Sequence, residues 1–297
     1  MNDSKSPHRK INLKDAGDVL KGVSIPPRPQ LLIDIREVLP DIRKVAQLIQ
    51  TDQGVSAGVL KAINSPLYGL ARRITSIQHA VMMLGLDNVI NIVSSLLLRA
   101  AIGSNLNPAT LEKYWSTTTD TAVAAASLTK QLRVASIDKA YMLGLFHNCG
   151  MPMLMKKFPD YMDSLIISYG SKGMSLTDYE DGHYETNHAI AGYFVCRYWL
   201  LPTDICKVIR DHHSLNCLTF DEKTTDHEYT TLLAILKMAE HIAGLHNWLG
   251  SNNEDHEWDA IKKNLLNYIG LSESDFDDVS AVASDEIAQY NMAISAK

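Results

Sequence analysis

Residues 136–150, SIDKAYMLGLFHNCG, decide the fold of the chain and the chemistry that it offers. Ser136 is suited to the N-cap of a helix, because its hydroxyl accepts a backbone N–H of the first turn. Small and apolar residues then recur at spacings of three and four, which indicates one buried helical face. Gly150 and Pro152 are expected to stop this helix. His147 is therefore predicted to lie at the inner end of a buried helix.

The residue after His147 determines which chemistry this position supports. A histidine followed by an aspartate offers a metal ion two ligands, one of which is charged. Here Asn148 follows, and its amide is a neutral, weak ligand that cannot balance the charge of a hydrolytic metal ion. The pair therefore argues against a catalytic metal centre at this position.

Length and composition indicate an ordinary globular protein. The 297 residues are 46% hydrophobic and 21% charged, which is enough chain for two domains with their own cores. We find no secretory signal and no apolar run near the ~20 residues of a membrane helix. The four cysteines form no C-x-x-C pair and are expected to be reduced core residues. We therefore expect a cytoplasmic protein that does not enter the membrane.

The net charge of −6 is unevenly distributed along the chain. Residues 1–105 carry five more basic than acidic side chains, whereas residues 251–297 carry seven more acidic than basic ones. A modest basic excess scattered over the first segment is typical of a solvated surface, so nucleic-acid binding is not expected. The acidic end is typical of a solubilising tail or of a face that contacts a partner.

Helical periodicity continues along the chain, and no period-two alternation competes with it. The sequence therefore predicts an all-α fold of two packed helical bundles. A cluster of turn-forming residues at 103–108 marks the boundary between them. The predicted organisation is a flexible N-terminus (1–20), an N-terminal helical bundle (21–105), a second helical domain (106–250) and an acidic helical C-terminal extension packed on the second domain (251–297).

Several helix ends are predicted from single residues. Ser56 and Ser76 are placed to cap the N-termini of two helices in the first bundle. Gly85 is placed to end the second of them. In the rear half, one helix is predicted from Pro152 to about Tyr169.

Six motifs occur in one order along the chain, at residues 64–69 (NSPLYG), 76–85 (SIQHAVMMLG), 144–150 (GLFHNCG), 188–192 (HAIAG), 198–202 (YWLLP) and 212–213 (HH). Together they resemble the HDOD family, the HD-related output domain of bacterial signalling, over about residues 20–250. The resemblance implies a front bundle packed on a rear bundle related to the HD family of metal-dependent phosphohydrolases. It also implies a signalling module without hydrolase activity, with partners in response-regulator or cyclic-dinucleotide systems.

The resemblance also implies a set of candidate metal ligands. An HD hydrolase needs a histidine on an early helix, the His-Asp pair, further histidines and a late carboxylate. The early position falls near residues 116–118, which hold no histidine, and the pair is altered at Asn148. The candidates that remain are His147, His188, His212 and Glu240. His213 is the alternative to His212, because adjacent helical residues point about 100° apart and only one is expected to face inward.

Two interpretations of these four residues stay open. Three imidazoles and a carboxylate are enough ligands for a Zn, Fe or Mn ion. Alternatively, the histidines are hydrogen-bonded core residues, and Glu240 is paired with a basic side chain or a histidine. Because both anchoring positions are altered, we expect a regulatory output module that acts through protein partners, catalyses no reaction and needs no cofactor. The alternative is a divergent metal-dependent phosphohydrolase that uses the remaining ligands.

Overall fold

The computed structural model describes residues 16–65, 68, 70, 72–102, 106–214, 226–249 and 254–295. These residues form seventeen helices and no strand, which confirms the predicted all-α class. The helices are α1 (Ala16–Leu20), α2 (Gln30–Glu37), α3 (Ile42–Gln50), α4 (Gln53–Ile63), α5 (Ile77–Leu84), α6 (Leu86–Ile102), α7 (Pro108–Leu132), α8 (Ile137–Phe146), α9 (Met151–Lys157), α10 (Tyr161–Tyr169), α11 (Leu176–Tyr184), α12 (His188–Tyr198), α13 (Thr203–Asp211), α14 (His227–Ala243), α15 (Leu245–Leu249), α16 (His256–Ile269) and α17 (Glu273–Ser295). None of these helices is long and apolar enough to cross a membrane.

Helices α2 to α6 pack on one another, with α4 against α5 and α6 and with α3 against α5. Their buried faces carry aliphatic residues such as Ile35, Ile49, Val59 and Val93. Apolar residues at spacings of three and four therefore form the faces that pack together. Most of the predicted flexible N-terminus, residues 1–15, lies outside the described residues, as does part of the turn cluster at 103–108.

Helix α7 is the longest helix, and the rear half of the chain packs around it. It contacts α8, α14 and α17, and α14 in turn contacts α8, α13 and α16. Helix α17 contacts both α7 and α14, so the acidic C-terminal segment rests on these two helices. The predicted domain borders after residues 105 and 250 stay predictions.

Side-chain caps explain where several helices begin. Ser136 and Ser76 cap α8 and α5, as predicted. Helix α4 starts earlier than predicted, because the carboxylate of Asp52 accepts the first-turn amide. Ser56 lies inside that helix, and its hydroxyl donates to the Ile49 carbonyl oxygen at 2.9 Å.

The segment after His147 differs from its prediction. Helix α8 ends at Phe146, and Pro152 does not stop a helix but lies in the first turn of α9, where its missing N–H costs nothing. The single helix predicted from Pro152 to about Tyr169 is wrong, because the chain forms α9 and α10 there. Pro159 lies between them, and proline disfavours helical backbone at the residue before it.

Gly150 holds the turn after α8 against the start of α12. A Cβ at this position would overlap the carbonyl oxygen of His188 and lie 2.8 Å from the backbone nitrogen of Gly192. Neither backbone atom can move away without shifting α12. The absence of a side chain at Gly150 thus lets the turn that carries Asn148 approach the helix that begins with His188.

Replacing Gly150 by alanine should therefore separate the two segments. We expect Gly150→Ala to lower the free energy of unfolding by about 1–3 kcal/mol, measured by urea denaturation. Gly182→Ala is the matched control, because Gly182 is exposed on α11 and its Cβ would meet open space. It should be neutral or stabilising by up to ~1 kcal/mol. Equal losses in both variants would contradict the close-approach explanation.

Candidate functional site

Four buried histidines lie together where α8, α12 and α13 meet. His147 follows the last residue of α8, His188 opens α12, and His212 and His213 follow α13. Each is at most 2% exposed. The ring centroid of His212 lies 5.7 Å from that of His147 and 5.2 Å from that of His188. The predicted candidates on these three helices are therefore neighbours in space.

Two of the four rings are anchored to the end of the helix that precedes them. The Nδ1 atom of His147 lies 2.7 Å from the carbonyl oxygen of Gly144, three residues back. The Nδ1 atom of His212 lies 2.7 Å from the carbonyl oxygen of Ile209, again three residues back. Because a carbonyl oxygen only accepts hydrogen bonds, both Nδ1 atoms must carry the proton.

The other two rings are anchored to carboxylates. His188 Nδ1 lies 2.7 Å from Oε2 of Glu180, which also accepts the His188 backbone N–H at 2.9 Å. The second oxygen of Glu180 accepts the hydroxyl of Tyr161. His213 Nδ1 lies 2.9 Å from Oε2 of Glu257. All four histidines thus hold their Nδ1 proton toward an outer partner, so the Nε2 atoms are left for the interior.

Three of the imidazoles form a group with the spacing of metal ligands. The ligand nitrogens of His188, His212 and His213 lie within 4.8 Å of one another. The Nε2 atoms of His188 and His212 are 3.3 Å apart, and His212 Nε2 lies 3.2 Å from Oδ1 of Asn148. In the part of the chain that is described, the Nε2 atoms of His147 and His213 have no hydrogen-bond partner.

The expectation that only one of His212 and His213 faces inward is wrong. Their side chains are both buried, and the ring of each lies within 5.2 Å of the His188 ring centroid. The physical reason is that α13 ends at Asp211. His212 faces Asn148 and the His147 ring, whereas His213 lies against Glu257, so each ring has its own partner in the interior.

Glu240, the fourth predicted ligand, is paired with a lysine. Its Oε2 atom lies 2.5 Å from Nζ of Lys237, one turn earlier on α14, and its Oε1 atom lies 3.4 Å from Nε2 of His147. Lys237 Nζ also lies 3.1 Å from Glu257. Lys237 is only 5% exposed, so the pocket contains its own cation. The alternative interpretation, Glu240 paired with a basic side chain or a histidine, agrees with these contacts, which include both kinds of partner.

Helix α7 carries the early position that the resemblance predicts, and it presents hydroxyls there instead of an imidazole. Thr117 and Thr118 are buried on α7, and no histidine lies on that helix. Tyr114, also buried, donates its hydroxyl to the backbone carbonyl oxygen of Asn148 at 2.9 Å. The contact ties α7 to the turn after α8 without a metal ligand.

Comparison with known proteins identifies the family. The sequence profile of the HDOD domain matches residues 25–215, which is more than half of the chain. The chain belongs to the HDOD family. Among curated proteins, this HDOD chain is 26% identical over 196 residues to an uncharacterised protein of Treponema pallidum. That match covers 64% of this chain and 38% of the Treponema protein, so the chain spans well under two thirds of that relative.

Solved structures show the same HDOD fold. An HDOD domain protein of unknown function from Geobacter sulfurreducens has a TM-score of 0.66 at 23% identity, covering 95% of this chain and 96% of its own. A Shewanella amazonensis protein, provisionally described as a metal-dependent phosphohydrolase, has a TM-score of 0.64 at 20% identity, covering 94% and 96%. A Marinobacter aquaeolei protein, provisionally described as a signal transduction protein, has a TM-score of 0.59 at 18% identity, covering 95% and 66%.

The histidines of this HDOD chain fit the metal centre of an HD hydrolase, but its charged ligands do not. The four Nε2 atoms, each backed by an anchored Nδ1, match the way proteins orient imidazole ligands. The charged ligands do not match, because Asn148 is neutral and Glu240 is paired with Lys237. Three neutral imidazoles can hold a zinc ion, so the described donor set differs from an HD centre in its charged ligands and not in its histidines.

Burial lowers the pKa of three of the four imidazoles, and two carboxylates keep Lys237 charged. Burial lowers the pKa of His147 to about 3 and that of His212 and His213 well below the usual range. Burial alone would lower the pKa of Lys237, but Glu240 and Glu257 outweigh it and raise that pKa. His147, His212 and His213 are therefore uncharged near pH 7, and the lysine is charged.

Sequence reasoning missed three residues of this site. Glu180 lies on α11, a helix that was not predicted, and Glu257 comes from the predicted C-terminal extension. Lys237 and Glu240 are three residues apart in the stretch KMAE, which places both on one face of a helix. This spacing was the one sequence signal that could have indicated Lys237 as the partner of Glu240. His213, the imidazole partner of Glu257, is 44 residues away, and His188, the imidazole partner of Glu180, is eight residues away on the next helix, so no spacing within one helix indicates either pair.

The neutral histidines predict acid destabilisation. Between about pH 6.5 and pH 5, the unfolded chain binds protons at His147, His212 and His213, whereas the folded chain does not. Each imidazole should contribute up to about 1.4 kcal/mol per pH unit, so the free energy of unfolding falls as the pH falls. Burial raises the pKa of Glu240, which acts in the opposite direction, but it is one group against three.

Chemical denaturation at pH 5, 6 and 7.5 measures this slope. The slope should be shallower in His212→Gln and in His213→Gln. It should be unchanged in His183→Gln, because His183 is half exposed and pairs only at the surface with Asp160. A slope that is the same in all these variants would show that the buried imidazoles do not cause the acid sensitivity.

Proposed function

We propose that this HDOD chain is a signal-transduction module that catalyses no reaction and acts through protein partners, with a degenerate HD centre in its rear bundle. The observation that carries the proposal is the buried ammonium of Lys237 between Glu240 and Glu257, at 2.5 and 3.1 Å. A lysine in that position gives Glu240 the positive partner that a metal ion would otherwise supply. It also repels a second cation from the same carboxylates.

The degenerate centre then has a structural role. The four imidazoles fill the junction of α8, α12 and α13, and their Nδ1 atoms satisfy two helix ends, the buried carboxylate of Glu180 and the partly buried one of Glu257. Each of these contacts removes a buried polar group that would otherwise be unsatisfied. In the proposed division into a front bundle and an HD-like rear bundle, this centre holds the helices of the rear bundle in fixed positions.

Two surfaces are available to partners. A cleft of about 250 Å³ lies where α4, α6, α7 and α8 meet, and Tyr290 of α17 closes one side. The first half of α17 exposes acidic side chains, which suit a basic face on a protein partner. The Marinobacter protein of similar fold is described as a signal transduction protein, which supports a signalling role, and we propose that the partners belong to response-regulator or cyclic-dinucleotide systems.

A divergent metal-dependent phosphohydrolase is the second candidate, and one observation favours it. Nε2 of His188 lies 3.3 Å from Nε2 of His212, and both rings already place a proton on Nδ1. Two lone pairs do not approach each other at this distance unless a cation lies between them. A second proton on His188, balanced by Glu180, supplies that charge, and so does a metal ion.

An activity assay separates the two candidates. Under the proposal, the purified chain hydrolyses neither bis(p-nitrophenyl) phosphate nor a cyclic dinucleotide above background, with Mn, Fe, Mg or Zn added. His147→Ala is the control, because a hydrolytic centre would lose its activity with this ligand, whereas contaminating hydrolases would not respond. Turnover that disappears in His147→Ala would overturn the proposal and support the second candidate.

Restoring the missing charge should restore metal binding. In Asn148→Asp with Lys237→Met, the carboxylate pair of an HD centre is completed and the competing ammonium is removed. We expect this double variant to bind one more equivalent of Zn or Mn than the unmodified chain, measured by elemental analysis after dialysis. Lys237→Arg keeps the cation and should gain no metal. An equal metal content in the unmodified chain and the double variant would contradict the role given to Lys237.

A further inference from the structure

A second group of ligands lies outside the HD centre, where α14, α15 and α16 meet. His241 is in the last turn of α14, His246 is on α15, and Asp255 precedes α16. Oδ2 of Asp255 lies 2.8 Å from Nδ1 of His241 and 3.3 Å from Nδ1 of His246. The ligand atoms of the three residues lie within 4.8 Å of one another. Two imidazoles therefore converge on one carboxylate oxygen.

Local structure fixes all three side chains. Gly244 ends α14 with a left-handed backbone (φ 69°), which turns the chain so that α15 starts at once and the His246 ring stacks beside that of His241, 5.6 Å away. Asp255 is the N-cap of α16, and its Oδ1 atom accepts the amide of Trp258 at 3.0 Å. That bond leaves Oδ2 to face the two imidazoles.

The geometry points to a transition-metal site, and we propose that His241, His246 and Asp255 bind a zinc-class ion. Two histidines and one carboxylate are a ligand set that zinc takes when one position is left for water or a substrate group. A bound ion would take the place of the imidazole proton in the hydrogen bond between a histidine Nδ1 atom and Asp255. Unlike Glu240, Asp255 has imidazoles and an amide as its partners among the contacts described, and no ammonium within ion-pair distance.

The site opens on two sides, which gives the ion an access path and a free coordination position. His246 and Asp255 line a surface cleft of about 140 Å³ that runs toward α11. They also line a smaller cavity of about 20 Å³, enough for one water molecule, which reaches Lys237 and Glu240 of the HD centre. The side chains of His241, His246 and Asp255 are 31, 10 and 18% exposed, so the ligands are held in place yet reachable.

An ion here would tie α16 to the end of α14. Glu257 lies two residues after Asp255 and contacts both Lys237 and His213 of the HD centre. Metal binding would therefore hold the first turn of α16, and with it Glu257, in the position that completes the central charge network. The ligand is a divalent transition ion, and its site does not depend on the proposed loss of hydrolysis at the HD centre.

Cobalt titration of the full chain, after removal of metal by a chelator, tests this site. We expect one Co²⁺ per chain with visible d–d absorption, and displacement by one equivalent of Zn²⁺. Asp255→Asn is the main variant, because asparagine still caps α16 but loses the charge, and we expect at least ~100-fold weaker binding. His246→Gln, which leaves the cap intact, should have the same effect. His183→Gln is the matched control on an exposed histidine and should bind normally.

Trp258 reports the position of the ion. Its ring stacks on that of His241 with centroids 4.6 Å apart, so bound Co²⁺ should quench its fluorescence. Trp258→Phe should lose that part of the quenching and keep the stoichiometry. His188→Gln should keep both the ion and the quenching. The proposal is overturned if no Co²⁺ or Zn²⁺ binds, if binding survives in both Asp255→Asn and His246→Gln, or if it is lost in His188→Gln and not in these two variants.

Discussion

The buried ammonium of Lys237 and its two carboxylate partners form the interaction on which the rear half of the structure depends. A charge at 5% exposure is expensive unless it is paired, and Lys237 has Glu240 from its own helix and Glu257 from α16. Of these two pairs, the one with Glu257 joins α14 to α16. Both pairs also place an ammonium on carboxylates of the site, and under the proposed function this cation takes the place of a metal ion.

A second set of contacts surrounds this charge network and holds its side chains in position. Glu257 accepts from His213 as well as from Lys237, and His213 stands against His188, whose own partner is Glu180 on α11. Three carboxylates, one lysine and the imidazoles therefore form a chain of contacts from α16 to α11. Low dielectric strengthens each contact, and it also makes the loss of any one partner costly. The network favours a single arrangement of the helices, which suits a module that presents fixed surfaces.

Sequence reasoning predicted what depends on short-range chemistry and missed what depends on distant partners. The all-α class, the caps at Ser136 and Ser76 and the family resemblance all follow from patterns within a few residues. The end of α9 before Pro159 also has a local cause, but the apolar residues on both sides of this proline favour a single long helix, which is what the sequence analysis predicted. Glu180 and Glu257 could not be predicted, because an exposed helical glutamate and a buried one look alike until the partner is placed. The inward turn of His213 depends on where α13 ends, which is set by tertiary packing.

Several buried histidines in this HDOD fold are weak evidence for a metal site. His147 and His212 each follow the end of a helix and donate Nδ1 to the carbonyl oxygen three residues back. Helix ends leave carbonyl groups without partners, and a buried imidazole satisfies one of them at no cost in charge. This role is the same whether or not an ion is bound. A buried carboxylate differs from an imidazole because it carries a charge that its partners must balance. The partner of each carboxylate is therefore what separates the two clusters: Glu240 has an ammonium, whereas Asp255 has two imidazoles that can exchange a proton for a metal ion.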